Sequence, residues 1–256
     1  MKEAKKIRVY EHGFLKVGSE YEGVKFEKRH LETLAVYLTQ NESNAFYTLF
    51  YDKVRFKQYV GVLQVGDLTV EALPKTDNHA DDKDMWCRAL VEMLAISLQV
   101  TAKTTTIASI DVKKLSVLEA YLLMFLNEVE RLCHNGLIQK YRRETGNKSS
   151  LKGRLLVHKQ ATENLVHAEC FYVSCDVYDR NNIYNSILLQ ALQVIDGLPI
   201  SPFLRSKCGT LLLNYPECKS VPISERFFSR IVYDRKTASY KTAIELARVI
   251  LLNYHP

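Results

Sequence analysis

Along the first third of the chain, the spacing of apolar positions changes more than once. Residues 7–17 (IRVYEHGFLKV) read as a short strand, a turn at His12-Gly13 and a second strand. In FEKRHLETLAVYLTQN (26–41), Phe26, His30, Leu34, Tyr37 and Leu38 fall at helical spacing and predict an amphipathic helix. From Phe46 to Leu73 the period drops to two. FYTLFY, VRFKQYVGVLQVG and LTVEAL are rich in β-branched and aromatic residues, with Gly66-Asp67 placed as a hairpin turn. Pro74 closes the last strand, because it has no N–H to give to a ladder.

Beyond this unit the pattern becomes mostly helical. The polar, acidic segment TDNHADDKD (76–84) marks a boundary and an N-cap region. A helix is predicted over Met85–Leu98, with Trp86, Leu90, Met93, Leu94 and Leu98 facing inward. TTTIASIDVKK (104–114) reads as a linker or strand. The strongest helix follows over 116–136, opened by the capping box Ser116/Glu119 and stopped by Asn135-Gly136. Its apolar positions run almost all the way round, which predicts a buried helix at the centre of a second domain. Further helices are expected at 179–197, 201–213, 223–230 and 238–253. Between them, LKGRLLVHK and HAECFYVSCDVY are strand-like and could pair as a long hairpin. The fold class is therefore α+β. A small mixed unit (1–75) precedes a mainly helical domain (76–256), from which a basic loop and β-hairpin (136–178) project.

Charge singles out one stretch. Between Lys140 and Lys159 lie Lys140, Arg142, Arg143, Lys148, Lys152, Arg154 and Lys159 against the single acid Glu144; this local excess equals the formal net charge of the whole chain, +6. Read as a loop, the segment cannot bury those charges, so it points at water or at an anionic partner. The fractions of apolar (47%) and charged (25%) residues are those of a globular protein, and no apolar run approaches the roughly 18 residues that span a bilayer. Six scattered cysteines without a CxxC pair suggest a reduced, cytoplasmic protein.

Isolated chemistry is sparse. TGNKSS (145–150) lacks the leading glycine of a phosphate-cradling loop, and Asn147 interrupts its Gly-Lys pair. Asp111 and Lys113 have the Asp-x-Lys spacing of a Mg²⁺-dependent nuclease, with Asp81, Asp82 or Asp84 as the further acid. That spacing is common by chance, and the first acid would sit at a helix start instead of a strand end. No GxSxG occurs, and the histidines have no ligand-like spacing. The residues taken singly predict no catalytic or metal site.

Taken as an ordered series, they resemble a known family. GVLQVGDLTVEALPKTD, followed by Trp86 to Leu98, then FLNEVERLCHNGLIQKYRRETGNKSSLKGRLLVHK, then DVYDRNNIYNSILLQALQVI are similar to the McrC family. The matching motifs are Leu73-Pro74-Lys75, Gly136-Leu137 with Tyr141, Leu151-Lys152-Gly153-Arg154-Leu155, and Asp179 through Asn185. One departure is VEALPK, where Ile-Leu-Pro-Lys is more usual. The resemblance implies a subunit of a modified-cytosine-dependent restriction system that works with the hexameric AAA+ GTPase McrB. It implies a stalk that enters the GTPase ring and stimulates hydrolysis, with GTP bound by the partner and DNA in the assembled complex. It also implies a C-terminal PD-(D/E)xK nuclease domain using Mg²⁺, whose acids are expected beyond residue 256. No catalytic residue is therefore carried over, and no cofactor is expected in this chain itself. Tyr141, Arg142, Arg143, Lys152, Gly153 and Arg154 are the expected contacts with the GTPase, with Lys152 and Arg154 placed around a flexible Gly153.

Two other functions compete with this one. The basic loop could neutralise DNA phosphates as a sequence-indifferent module, although only Tyr141 supplies an aromatic for base stacking. An intact small nuclease using Asp111 and Lys113 would require Mg²⁺.

Overall fold

The computed structural model describes residues 5–40, 46–75, 83–97, 116–167 and 169–253. These residues form an α+β fold that divides into two compact units. The first comprises residues 1–127 and 195–210, the second 128–194 and 211–256.

In the first unit, β1 (Lys5–Tyr10) lies parallel to β8 (Leu68–Leu73), and β8 pairs antiparallel with β7 (Gly61–Val65). Val65 and Leu68 are opposite each other, so Gly66-Asp67 is a two-residue hairpin turn, with Gly66 in the left-handed region at φ 61°. The strands on either side of His12-Gly13 both form, but they do not pair with each other. His12 at φ 60° turns the chain away, and β2 (Phe14–Lys16) joins β6 (Lys53–Phe56) and β5 (Tyr47–Leu49) in a second sheet. A two-stranded ribbon, β3 (Glu20–Tyr21) with β4 (Val24–Lys25), leads to α1 (Lys28–Gln40). Ile7, Leu15, Phe26, Leu34, Tyr47, Val54, Phe56, Leu68 and Val70 fill one core between these elements.

Every residue of β8 is buried, including Ala72 of the departing VEALPK run and the carboxylate of Glu71. Glu71 is fully satisfied: Oε1 accepts from the backbone N–H of Val117 (2.6 Å), and Oε2 from Arg8 Nε (3.1 Å) and Cys87 Sγ (3.7 Å). Arg8 reaches Asp84 with its second nitrogen (2.7 Å). This pairing explains which face α2 (Lys83–Ser97) turns inward. Cys87 and Val91 are buried, Trp86 and Leu90 are half-buried, and Met93, predicted to face inward, is exposed. Leu94 and Leu98 lie outside the described side chains, as does the whole of 104–114 with Asp111 and Lys113.

The capping box opens α3 (Val117–Asn135) as predicted. The Ser116 N–H donates to Glu119 Oε2 (3.1 Å), and the Glu119 N–H donates to Ser116 Oγ (3.0 Å). Glu119 Oε1 also accepts from the Ser201 N–H. From Val117 to Leu126 nearly every side chain is buried, and the boundary between the units falls inside this helix. Gly136 at φ 86° ends it.

The second unit departs from the predicted loop. Residues Lys140–Lys148 form the nine-residue strand β9, paired along its whole length with β11 (Phe171–Asp179), from Lys140↔Asp179 to Lys148↔Phe171. LKGRLLVHK supplies only the two-residue β10 (Arg154–Leu155), on the other side of β11. From Val157 the chain is helical (α4, Val157–Glu163), where a strand was expected. A strand of Lys, Tyr, Arg, Glu, Thr, Gly and Asn has no apolar alternation, so its period was invisible to a hydrophobicity pattern. The later helices lie as expected: α5 (Ile183–Gly197), α6 (Pro202–Asn214), α7 (Glu225–Phe228) and α8 (Lys241–Asn253), the last preceded by a 3₁₀ turn, Ala238–Tyr240.

Candidate functional site

The long hairpin and its root carry the polar chemistry of the second unit. Directly opposed residues of neighbouring strands share a sheet face. One face of the hairpin therefore presents Tyr141, Arg143, Thr145 and Asn147 of β9, Tyr172, Ser174, Asp176 and Tyr178 of β11, and Arg154 of β10. Tyr141 and Tyr178 stack across the strands with ring centroids 4.7 Å apart, and both remain largely exposed. The opposite face carries Lys140, Arg142, Glu144, Gly146 and Lys148 beside the buried Val173 and Cys175.

The sequence-predicted residues are thus only partly gathered. Tyr141, Arg143 and Arg154 share the open face, whereas Arg142 points to the other one. Lys152 is exposed in the connection between β9 and β10. Those two strands both run antiparallel to β11 from opposite sides, so residues 149–153 must cross over β11. Gly153 is what permits the crossing. It sits at φ 81°, and a Cβ there would lie 2.5 Å from the Ser174 carbonyl oxygen and 2.9 Å from Cys175 Cα. The expected flexible glycine is instead a sterically demanded one.

The charges are also not free as the linear count implied. Arg142 pairs with Asp179 (2.8 Å) and Glu144, Arg143 with Asp176 (3.4 Å), Lys148 with Glu144 (3.1 Å), Lys140 with Asp234 (3.3 Å) and Lys159 with Glu163 (3.6 Å). Hydrogen bonding from Arg142 holds the Asp179 carboxyl below its ordinary range, and bonding from Lys148 does the same for Glu144. Among the described residues, only Lys152 and Arg154 of the seven cations form no ion pair. At the same, outer part of the hairpin, Leu151, Val157, Leu165 and Val166 expose large apolar side chains. Gln160 and Asn164 tie that segment down. Gln160 Oε1 accepts from the Tyr172 N–H (2.6 Å), and Asn164 Nδ2 donates to Asn147 Oδ1 (2.6 Å) and the Cys170 carbonyl (3.1 Å).

The root was missed at the residue level. The Asp179–Asn185 run stood out as a motif without an assigned role, and Tyr240 did not stand out at all. In the structure, Asn185 and Tyr240 are buried together and joined by a 3.0 Å hydrogen bond from the phenol to Asn185 Oδ1. Burial pushes the Tyr240 phenol up to about 12, so it remains a protonated donor. Lys140 Nζ lies 4.5 Å over the Tyr184 ring.

Among the described residues, no three His, Cys, Asp or Glu side chains are grouped so as to hold a metal ion. No helix there is long and apolar enough to cross a membrane. All six cysteines are free thiols, and burial raises Cys87 and Cys208 to about 11.

An α+β protein with a cross-paired basic hairpin clamped at its root to helices is the class that this geometry defines. The chain belongs to the McrBC family, whose model, described as a McrBC 5-methylcytosine restriction system component, matches residues 54–256. The fold is similar to a chain in the cryo-EM structure of the Thermococcus gammatolerans McrBC complex, at TM-score 0.72 and 18% identity over 95% of this chain and 80% of that one. It is also similar to a chain in the assembly of Thermococcus gammatolerans McrB AAA+ hexamers with bound McrC. There the TM-score is 0.70 and the identity 18%, over 95% of this chain and 64% of that one. Comparison with curated proteins finds no match.

Proposed function

We propose that this chain is the McrC-like subunit of a modified-cytosine-dependent restriction system, docking through its hairpin on a McrB-like AAA+ GTPase hexamer and stimulating GTP hydrolysis. GTP is bound by the partner in this reading. Mg²⁺-dependent DNA cleavage belongs to the family's nuclease domain and to the assembled complex, and no residue of this chain is assigned to it. The observation that carries the docking role is the uneven neutralisation of the hairpin. Its other cations are engaged within the fold, while Lys152 and Arg154 stand unpaired among the described residues, in an outer region that exposes Leu151, Val157, Leu165 and Val166. Unpaired cations beside exposed apolar side chains suit a protein surface with acidic groups, where an arginine can make two parallel hydrogen bonds to a carboxylate. The same neutralisation argues against the DNA-binding alternative, since two unpaired cations release few counterions.

The test is GTP hydrolysis by the cognate AAA+ partner, titrated with this chain. The parent is expected to stimulate, and the Lys152→Ala/Arg154→Ala double variant to lose at least about tenfold in half-saturating concentration, as for loss of two interfacial charge contacts. Equal stimulation by parent and double variant would remove these two residues from the contact. Binding of the parent to plain duplex DNA with steep salt dependence, without stimulation, would favour the DNA module.

A further inference from the structure

Both legs of the hairpin are gripped by one buried pair of side chains. Ile138 precedes β9, and Arg180 follows β11. The Asn185 amide Nδ2 donates to the Ile138 carbonyl (3.0 Å) and to the Arg180 carbonyl (2.7 Å), so a single group holds the entering and the leaving strand. The Tyr240 hydroxyl accepts from the Ile138 N–H (3.0 Å) and donates to Asn185 Oδ1 (3.0 Å). Ile138 is thereby fixed at both its N–H and its C=O. Asn182 repeats the grip from the residue that caps the start of α5, donating to the Ile138 carbonyl (3.1 Å) and accepting the Asn185 N–H (3.2 Å). Asn185 is fully buried and Tyr240 nearly so, with all their polar atoms used. A hairpin could be attached through apolar packing alone. A closed buried polar network attaches it in one orientation, because any tilt breaks several bonds that water cannot replace.

We propose that Asn185 and Tyr240 are positioning residues that set the inclination of the hairpin on its helical base, and that the GTPase partner reads this inclination when the hairpin docks. The second half of the proposal rests on the docking function inferred above. Neither residue touches the partner. Their effect is to pre-pay the ordering of the hairpin, so that docking does not have to supply it.

Tyr240→Phe is the informative variant, because it deletes one oxygen and keeps the ring. Tyr215→Phe is its matched control: Tyr215 is also a buried phenol of the same unit, but its hydroxyl has no hydrogen-bond partner among the described residues. Amide hydrogen exchange on the full chain alone reads the hairpin. Tyr240→Phe removes two buried hydrogen bonds and is expected to speed exchange at Ile138 and in β9 and β11 by about tenfold or more, while exchange in β1 and β8 stays at the parent rate. In the GTPase titration the same variant is expected to raise the half-saturating concentration about five- to tenfold and to leave the maximal stimulated rate unchanged. Tyr215→Phe is expected to change neither. Unchanged exchange in the hairpin would overturn the clamp. Faster exchange with an unchanged half-saturating concentration would overturn its role in docking. If the parent itself fails to stimulate, the docking reading falls along with the second half of the proposal, and exchange alone still decides the first.

Discussion

Gly153 shows how one residue can be essential for a reason that composition hides. Five residues carry the chain from one side of β11 to the other, and the last of them must lie against the backbone of Ser174 and Cys175 with positive φ. An L-residue there pays for the left-handed conformation, about 1–2 kcal/mol, and its Cβ must also displace backbone. Gly153→Ala is therefore expected to lose about 2 kcal/mol or more, read as a lower urea midpoint. An unchanged midpoint would mean that the crossing relaxes freely. A Lys-Gly-Arg string conveys only that a turn is allowed, because the atoms that demand glycine belong to a strand about twenty residues further on. Lys152 and Arg154 are exposed cations, as a polar turn implies, but the glycine between them serves close contact and not flexibility.

At the scale of elements, the hairpin is a strand pair made largely by charges. Asp176 and Asp179 of β11 meet Arg143 and Arg142 of β9, and Glu144 meets Lys148. The partners of Arg142 and Arg143 lie 37 and 33 residues away, and that of Lys140 lies 94 away. Since Asp179 and Glu144 have folded-state pKa values below the unfolded ones, their contribution is complete above the unfolded carboxylate values, near pH 4, and is lost as pH falls through the lower folded values. The expected outcome is that hairpin amide exchange, corrected for its intrinsic rate, accelerates below about pH 4. In Asp179→Asn it should already be faster at pH 7 and depend less on acid. A hairpin equally protected at pH 3 and pH 7 would show that these pairs contribute nothing. Elements whose apolar faces repeat, such as α1, α3 and α5, were legible with boundaries close to those observed. β9 was not, because its pairing residues are polar and its acids are remote.

On the scale of the whole molecule, the two compact units are each tied by a buried polar centre. In the second it is Asn185 with Tyr240. In the first it is Glu71, whose carboxylate joins β1 through Arg8, α2 through Cys87 and α3 through the Val117 N–H. Glu71→Gln keeps the shape of the side chain but leaves Arg8, among the described residues, with Asp84 as its anionic partner. It is expected to cost about 3 kcal/mol, in the range for breaking a buried pair, and to lower the thermal midpoint by several degrees. A midpoint within one degree of the parent would mean that Arg8 and Asp84 suffice.

By itself the sequence determined the α+β class, the Gly66-Asp67 hairpin, the capped and buried helix α3, the later helices and, through an ordered series of motifs, the McrBC family. All of these depend on local propensity or on the order of residues, and both are written along the chain. Tertiary structure alone decided that the basic stretch is a strand, that most of its charge is neutralised, that Gly153 is a contact glycine, and that Asn185 and Tyr240 hold the hairpin root. Each of those outcomes depends on which distant groups meet in space. A linear charge count contains no such information, because an ion pair or a steric demand is a property of two sites at once.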